Sequence, residues 1–324
     1  MTPAGDPHVV LVTDRAFLPW CATAILSCVE TATTPVTVHV VHADDVTAAD
    51  RDLLRQVVEP AGGAVRFHVL DAGDLEQLPT KGAALGGRMS WGRIVLADVL
   101  AELDRVVYID ADTLVFDSVH RVWEFPMEGA PVAAVVNVTE AARRDHLRSL
   151  GFDDPREYFN AGVLLLDLAM WRAEGAGDAL ADVARANPSL SWFDQDALNI
   201  VFAQRWRPLD PRWNVMFSFW LWADVAGELL GADAVASATG DPGIVHFEGP
   251  PVCKPWHYLC PHPLRDTHRA ALARTPWART PLDDRTFGTR LIARLPTPWR
   301  LPAYSRLLAY RERLAQRSRP ASYR

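Results

Sequence analysis

The stretch "RVVYIDADTLVF" (residues 105–116) decides how this chain is read. It is an apolar, β-prone run that ends by placing two carboxylates, Asp110 and Asp112, one residue apart. On a strand, residues i and i+2 project to one face, so the run predicts both carboxylates side by side. The surroundings supply the fold. "HVVLV" (8–12), "VTVHVV" (36–41) and "AVRFHVL" (64–70) read as strands. A helix is expected over 19–31, and another in "TAADRDLLRQVVEPAGG", with Thr47 as N-cap and Asp50 three residues on. "RIVLADVLAELD" reads as the helix preceding the Asp-X-Asp strand, and "PVAAVV" (131–136) and "AGVLLLDL" (161–168) as later strands. Strands alternating with helices predict an α/β fold with a largely parallel sheet. In such sheets the ligand crevice lies at the carboxyl ends of the strands. Two hard oxygen ligands at that edge suit manganese or magnesium, shared with a diphosphate. Taken alone, Asp-X-Asp reads equally well as a cap beside a solvated carboxylate.

Composition narrows the class. With 324 residues, 49% of them hydrophobic, the chain can bury a large core. No apolar run reaches the roughly 18–20 residues that span a bilayer. The opening "MTPAGDPHVVLVTD" lacks the pattern of a signal peptide, so the expected location is cytoplasmic. Four cysteines make no disulfide framework. "CKPWHYLCPHP" offers Cys253, His257, Cys260 and His262 for zinc, against the alternative of thiols buried as small apolar groups. Residues 285–324 hold ten arginines and one glutamate, a sum of +9, so a total of −7 leaves −16 on residues 1–284. An acidic body of that kind argues against a general nucleic-acid binder.

Four further motifs follow Asp-X-Asp: "YFNAGVLLLDLAMWR" (158–172), "WFDQDALNIVF" (192–202), "RWNVMF" (212–217) and "IVHFEGPPVCKPWHY" (244–258). In this order and spacing the chain resembles the family 8 retaining glycosyltransferases, over about residues 9–256. That family includes bacterial lipopolysaccharide galactosyl- and glucosyltransferases and the glycogenins. The resemblance implies a GT-A fold, with a Rossmann-like, mostly parallel sheet, a UDP-sugar donor and manganese, with magnesium as the alternative. It implies Asp110, Asp112 and His246 as metal ligands. It places Lys254 on the diphosphate, with Gly249 letting the backbone approach the phosphates. In a chain with two lysines, Lys81 and Lys254, against 31 arginines, a lysine inside a matching motif carries information.

The same resemblance puts nucleotide contacts at Val12, Asp14 and Ala16 of "VTDRAF" and at Asp110 and Ala111. Relatives often carry Asn where Ala16 stands. Arg93 would face the donor sugar and the phosphates, with Asn137, Asn160, Ala161, Asp194 and Gln195 on the sugar. The catalytic set is Gln195, Asp194, Asp196 and Arg93. Plainer readings exist: Asp14 as a turn residue, Arg93 as a surface arginine, Asp194 as a helix N-cap. Two departures stand out. Lys254 follows His246 by eight residues, about two more than usual, so the segment holding Pro250 and Pro251 must bulge. Asn137 stands where relatives carry Asp, and an amide donates as well as accepts.

The amide of Gln195 is a poor nucleophile, so the expected route is front-face attack through an oxocarbenium-like ion pair, giving an α-linkage from an α-linked donor. Asp194 or Asp196 as a transient nucleophile is the secondary route. A sugar-phosphate nucleotidyltransferase and a non-catalytic UDP-sugar-binding homologue are the rival readings. The acceptor stays open among glycan, lipid-linked glycan, protein and small natural product. Trp192, Trp213, Trp220, Trp222 and Trp256 serve equally as a stacking wall or as core. The expected domains are a catalytic domain over 1–284 and a basic amphipathic tail over 285–324. There a helix is expected from about residue 303, with Leu307, Leu308, Tyr310 and Leu314 on one face and Arg306, Arg311, Arg313 and Arg317 around it. Such a helix suits an anionic membrane surface at the inner face of the membrane, or packs on the acidic body.

Overall fold

The computed structural model describes residues 5–70, 72–75, 78, 89–188 and 190–317. Lys81 and residues 318–324 lie outside that set, as do the side chains of Leu314 and Arg317. The chain divides into two compact units, Met1–Glu248 with Ala271–Ala278, and Gly249–Ala270 with Arg279–Arg324.

The first unit is built on a seven-stranded sheet, with β1 (His8–Thr13), β2 (Thr37–His42), β3 (Ala64–Val69), β4 (Arg105–Ile109), β6 (Val132–Val136), β7 (Phe159–Asp167) and β8 (Trp206–Pro208) in the order β3-β2-β1-β4-β7-β6-β8. All neighbours pair in parallel except β7, which runs antiparallel to β4 and β6. This is the α/β class expected, with a mostly parallel sheet. The central strands are continuous apolar runs buried on both faces: every residue of β6, and all of β7 up to Leu166, is buried, whereas no residue of the edge strands β3 and β8 is. Helix α1 (Leu18–Thr31) is buried from Leu18 to Val29, and α2 (Ala48–Val58) starts with the expected Thr47–Asp50 capping box.

Two elements depart from expectation. The segment "RIVLADVLAELD" forms only a four-residue helix, Leu96–Val99, after a 3-10 turn, Ser90–Arg93. Trp91, Ile94, Leu96, Ala97 and Leu100 are all buried, so the first part of the segment is threaded through the core, and only Asp98, Ala101, Glu102 and Asp104 are exposed. The aspartates, too, are not on a strand: β4 stops at Ile109 and β5 (Thr113–Val115) starts at Thr113, which leaves Asp110–Ala111–Asp112 in the turn between. A second, three-stranded sheet pairs β5 with β10 (Ile244–His246), and β10 with β9 (Val215–Met216).

The second unit gathers Leu259, Ile292 and Tyr304 around a small core. Its last helix, Thr297–Arg317, begins some six residues earlier than expected and contains Pro302. Pro298 falls in the first turn, where backbone N–H groups have no helical partner in any case. Tyr304, Leu307 and Arg311 share one face and turn inward: Tyr304 Oη donates to Asp284 Oδ2 at 2.9 Å, Arg311 pairs with Asp284 at 3.0 Å, and Leu307 packs on the small core. Among the described residues no helix is long and apolar enough to cross a membrane.

Candidate active site

Register sets the site. His246 is opposite Thr113 on β5, and the Phe247 N–H donates to the Asp112 carbonyl at 2.9 Å, so β10 delivers the imidazole beside the Asp-Ala-Asp turn. That turn is pinned by Asp110 N–H to the Gly162 carbonyl at 2.8 Å and by Thr113 Oγ1 to the Asp110 carbonyl at 2.8 Å. His246 Nε2 then lies 3.4 Å from Asp112 Oδ1 and 3.6 Å from Asp110 Oδ2. Among the described residues these three form the group whose ligand atoms converge, all within 4.8 Å of one another. Two carboxylate oxygens and an imidazole nitrogen at that spacing fit a manganese-type divalent cation. Asp110 is preset for that role. Its Oδ1 accepts from Tyr108 Oη at 2.5 Å and from Arg93 Nη2 at 2.8 Å, which turns Oδ2 toward His246.

Arg93 joins two halves of the site. Its guanidinium donates to Asp110 and to the Ala161 carbonyl at 2.7 Å, and pairs with Asp194 Oδ2 at 3.0 Å, while stacking on the Tyr108 ring. Burial works against its charge, but Asp110 and Asp194 outweigh that and hold it firmly protonated. Burial pushes the Asp194 carboxyl up to about 7 against the opposing pull of Arg93. Asp194 is not the N-cap of its helix, Phe193–Val201. It lies in the first turn, and Trp192 is the capping position.

A cleft of about 180 Å³ opens at the carboxyl end of β1, lined by the expected Val12, Asp14, Arg93, Asp110, Ala111 and Asp112. Ala16 is exposed on the adjoining turn and takes no part in the lining. Asp14 is a turn residue, the plainer of the two roles weighed for it, and it also lines the cleft. Its Oδ1 accepts from the Phe17 N–H at 2.9 Å and closes the turn, while Oδ2 is buried and has no hydrogen-bond partner among the described residues. Burial raises this carboxyl above its ordinary range.

Around the residues expected to face the sugar, Asn199 clasps both backbone groups of Phe159 on β7, which fixes the helix Phe193–Val201 against that strand. Gln195 Oε1 in consequence accepts from the Ala161 N–H at 3.0 Å and from Asn160 Nδ2 at 3.2 Å. Asn160 Nδ2 also reaches Asn137 Oδ1 at 3.0 Å, and Asn137 Nδ2 donates to Thr139 at 2.8 Å. Asn137 thus uses both ends of its amide, which a carboxylate could not do. Asp196 is fully buried and takes hydrogen bonds from Tyr158 Oη, His146 Nε2 and the Trp192 N–H.

Sequence reasoning passed over Tyr108, Gly162, Asn214, His146 and Tyr158. Asn214 and Gly162 stood inside quoted motifs, whereas His146 left no signal. Trp213 is buried, while Trp192, Trp220 and Trp222 are partly exposed. In the second unit, Gly249 adopts φ +99° and leads into a 3-10 turn, Pro251–Cys253, capped by Lys254, so the longer segment does fold into a turn. Cys253 and Cys260 are buried and not joined in a disulfide, with Cys260 Sγ donating to the Cys253 carbonyl. His257 Nδ1 and His262 Nδ1 accept from the Leu259 and Leu264 N–H groups, and among the described residues Cys253, His257, Cys260 and His262 do not form a converging group of metal ligands.

Comparison with known proteins agrees with this geometry. The chain is 25% identical over 278 residues to the lipopolysaccharide 1,3-galactosyltransferase of Salmonella typhimurium, covering 83% of this chain and 78% of that protein. It is 30% identical over 195 residues to general stress protein A of Bacillus subtilis, covering 59% of this chain and 66% of that protein, just under two thirds of its length. The crystal structure of galactosyltransferase LgtC with donor and acceptor sugar analogs matches with a TM-score of 0.72 at 24% identity, covering 83% of this chain and 96% of that one. The likeness shows that the fold is of the GT-A type. The family model of glycosyl transferase family 8 matches residues 8–260, from β1 through the Asp110–Asp112–His246 cluster, and the chain therefore belongs to that family.

Proposed function

We propose that the protein is a retaining, metal-dependent hexosyltransferase that moves glucose or galactose from a UDP-sugar to an acceptor hydroxyl, giving an α-linkage. The convergence of Asp110, Asp112 and His246 beside the β1 cleft carries this reading. A manganese or magnesium ion bound there would supply a Lewis acid for the UDP leaving group. Asp14 Oδ2, without a partner among the described residues, is the acceptor for nucleoside N–H or O–H groups. Arg93 brings fixed positive charge to the point where the phosphate becomes anionic. Gln195 and Asn160, locked to each other and to β7, orient the sugar. Asp196, enclosed by three donors, is read as a support for Tyr158 and the Gln195 helix rather than as the attacking group. Asp194, already paired to Arg93, serves charge balance, which leaves front-face attack as the favoured route. Lys254 and Gly249 keep their assignment to the diphosphate.

Manganese-dependent release of UDP from UDP-glucose or UDP-galactose tests the reading. Activity should fall to background in Asp112→Asn, which remains folded. Formation of pyrophosphate would point to nucleotidyl transfer, and no turnover with any UDP-sugar to a binding-only homologue. A β-linked product by NMR would remove the retaining assignment.

A further inference from the structure

Behind the three ligand atoms lies a file of buried amides whose directions are set by the main chain. The Gly162 N–H donates to Asn160 Oδ1 at 2.9 Å, and a backbone amide can only donate, so that oxygen faces β7. Asn214 Nδ2 donates to the same oxygen at 2.8 Å. With its nitrogen so committed, Asn214 turns Oδ1 to His246 Nδ1 at 3.1 Å. An amide oxygen only accepts, so Nδ1 must carry a proton. Asn214 is fully buried and His246 nearly so, which leaves no room for solvent to substitute.

We propose that Asn214 is a positioning residue of the metal site: it holds a proton on His246 Nδ1 and thereby presents Nε2 to Asp110 and Asp112. The lock originates in the backbone of β7, three hydrogen bonds away. Metal-bound imidazoles are oriented by the partner of their other nitrogen, and loss of such a partner weakens metal binding about 10- to 100-fold. The inference rests on the metal reading above, yet the lock itself exists without the ion.

Two measurements separate the ideas. In metal-free protein labelled with ¹⁵N-histidine, long-range ¹⁵N–¹H spectra should show His246 protonated at Nδ1, the resonance being assigned by its absence in His246→Gln. A neutral ring protonated only at Nε2 overturns the lock. Manganese affinity by electron paramagnetic resonance should drop about 10- to 100-fold in Asn214→Leu. It should stay within a few-fold of wild type in Asn214→Asp, which still accepts from Nδ1–H. Unchanged affinity in Asn214→Leu, or equal losses in both variants with their melting transitions intact, overturns the positioning role. Wild-type protein that binds neither manganese nor magnesium overturns the metal reading, and with it any metal role for Asn214, whatever the spectra show of the lock.

Discussion

At the scale of single residues, the site depends on what Gly162 lacks. A Cβ there would fall inside the van der Waals envelope of the His246 ring, with Cε1 and Nδ1 the nearest atoms. Gly162→Ala must therefore push the imidazole off Asp110 and Asp112. The expected result is a loss of manganese affinity of about 10- to 100-fold, with a cooperative melting transition retained; unchanged affinity by electron paramagnetic resonance would refute it. Asp194 yields a prediction in pH. Its carboxyl is pushed up from 3.8 to about 7 by burial, so it loses its charge, and its pairing with Arg93, as pH falls through 7. We expect kcat/KM for the UDP-sugar to decline on the acid side of about pH 7, and that limb to vanish from the residual activity of Asp194→Asn. Stability runs the other way. A raised carboxyl pKa favours the folded state below the unfolded value of 3.8 and loses that contribution as pH climbs through about 7. A pH–rate profile set beside thermal melts across the same range checks both signs.

At the scale of elements, short connections do the positioning, and they are where sequence patterns say least. The strands and α2 were legible because period-2 or unbroken apolar runs and a capping box are local properties. The pairing of Asp110 with Asp112 was legible as chemistry but not as geometry. What converges them with His246 is the register of β5 on β10, a contact across some 130 residues that no local pattern encodes. The broken helix near Arg93 has the same origin, since tertiary burial overrides the helical propensity of "RIVLADVLAEL". The C-terminal helix shows an element anchored through one residue. Burial alone would raise the Asp284 carboxyl, but Arg311 and Tyr304 hold it below its usual range. Its pairing therefore stabilises the second unit above the ordinary carboxylate pKa and fades as pH falls through the lowered one. Asp284→Asn keeps the shape and tolerates the left-handed backbone at φ +49°. We expect it to cost about 1–2 kcal/mol at neutral pH and less at an acid pH where the lowered carboxyl takes up its proton, read from denaturant melts of the full chain. An equal cost at both pH values would deny the ionic anchor.

At the scale of the whole molecule, charge and apolar exposure are concentrated at one end of the sequence. Once Tyr304, Leu307 and Arg311 turn inward, the expected single apolar face of the last helix is divided. What stays outside is Phe287 at 79% exposure and Trp299 at 67%, together with Leu291, Leu308 and Tyr310. Arg290, Arg294, Arg306 and Arg313 are exposed among them. Large aromatic side chains in water beside arginines fit the interface of an anionic bilayer, where each basic residue contributes about 1 kcal/mol and the rings bury apolar area. We propose that this surface holds the enzyme against an anionic membrane, which suits a lipid-linked acceptor. Truncation at residue 284 would remove part of the second unit's core, so substitutions test the idea better. Phe287→Ser with Trp299→Ser should abolish binding to liposomes containing about a third anionic lipid, while UDP release from the UDP-sugar continues at the wild-type rate. Binding of the intact protein should fall steeply as salt rises past physiological strength, because exposed charges are screened over about 8 Å there. Intact protein that ignores those vesicles at low salt would leave the exposed aromatics for some other partner and end the membrane reading.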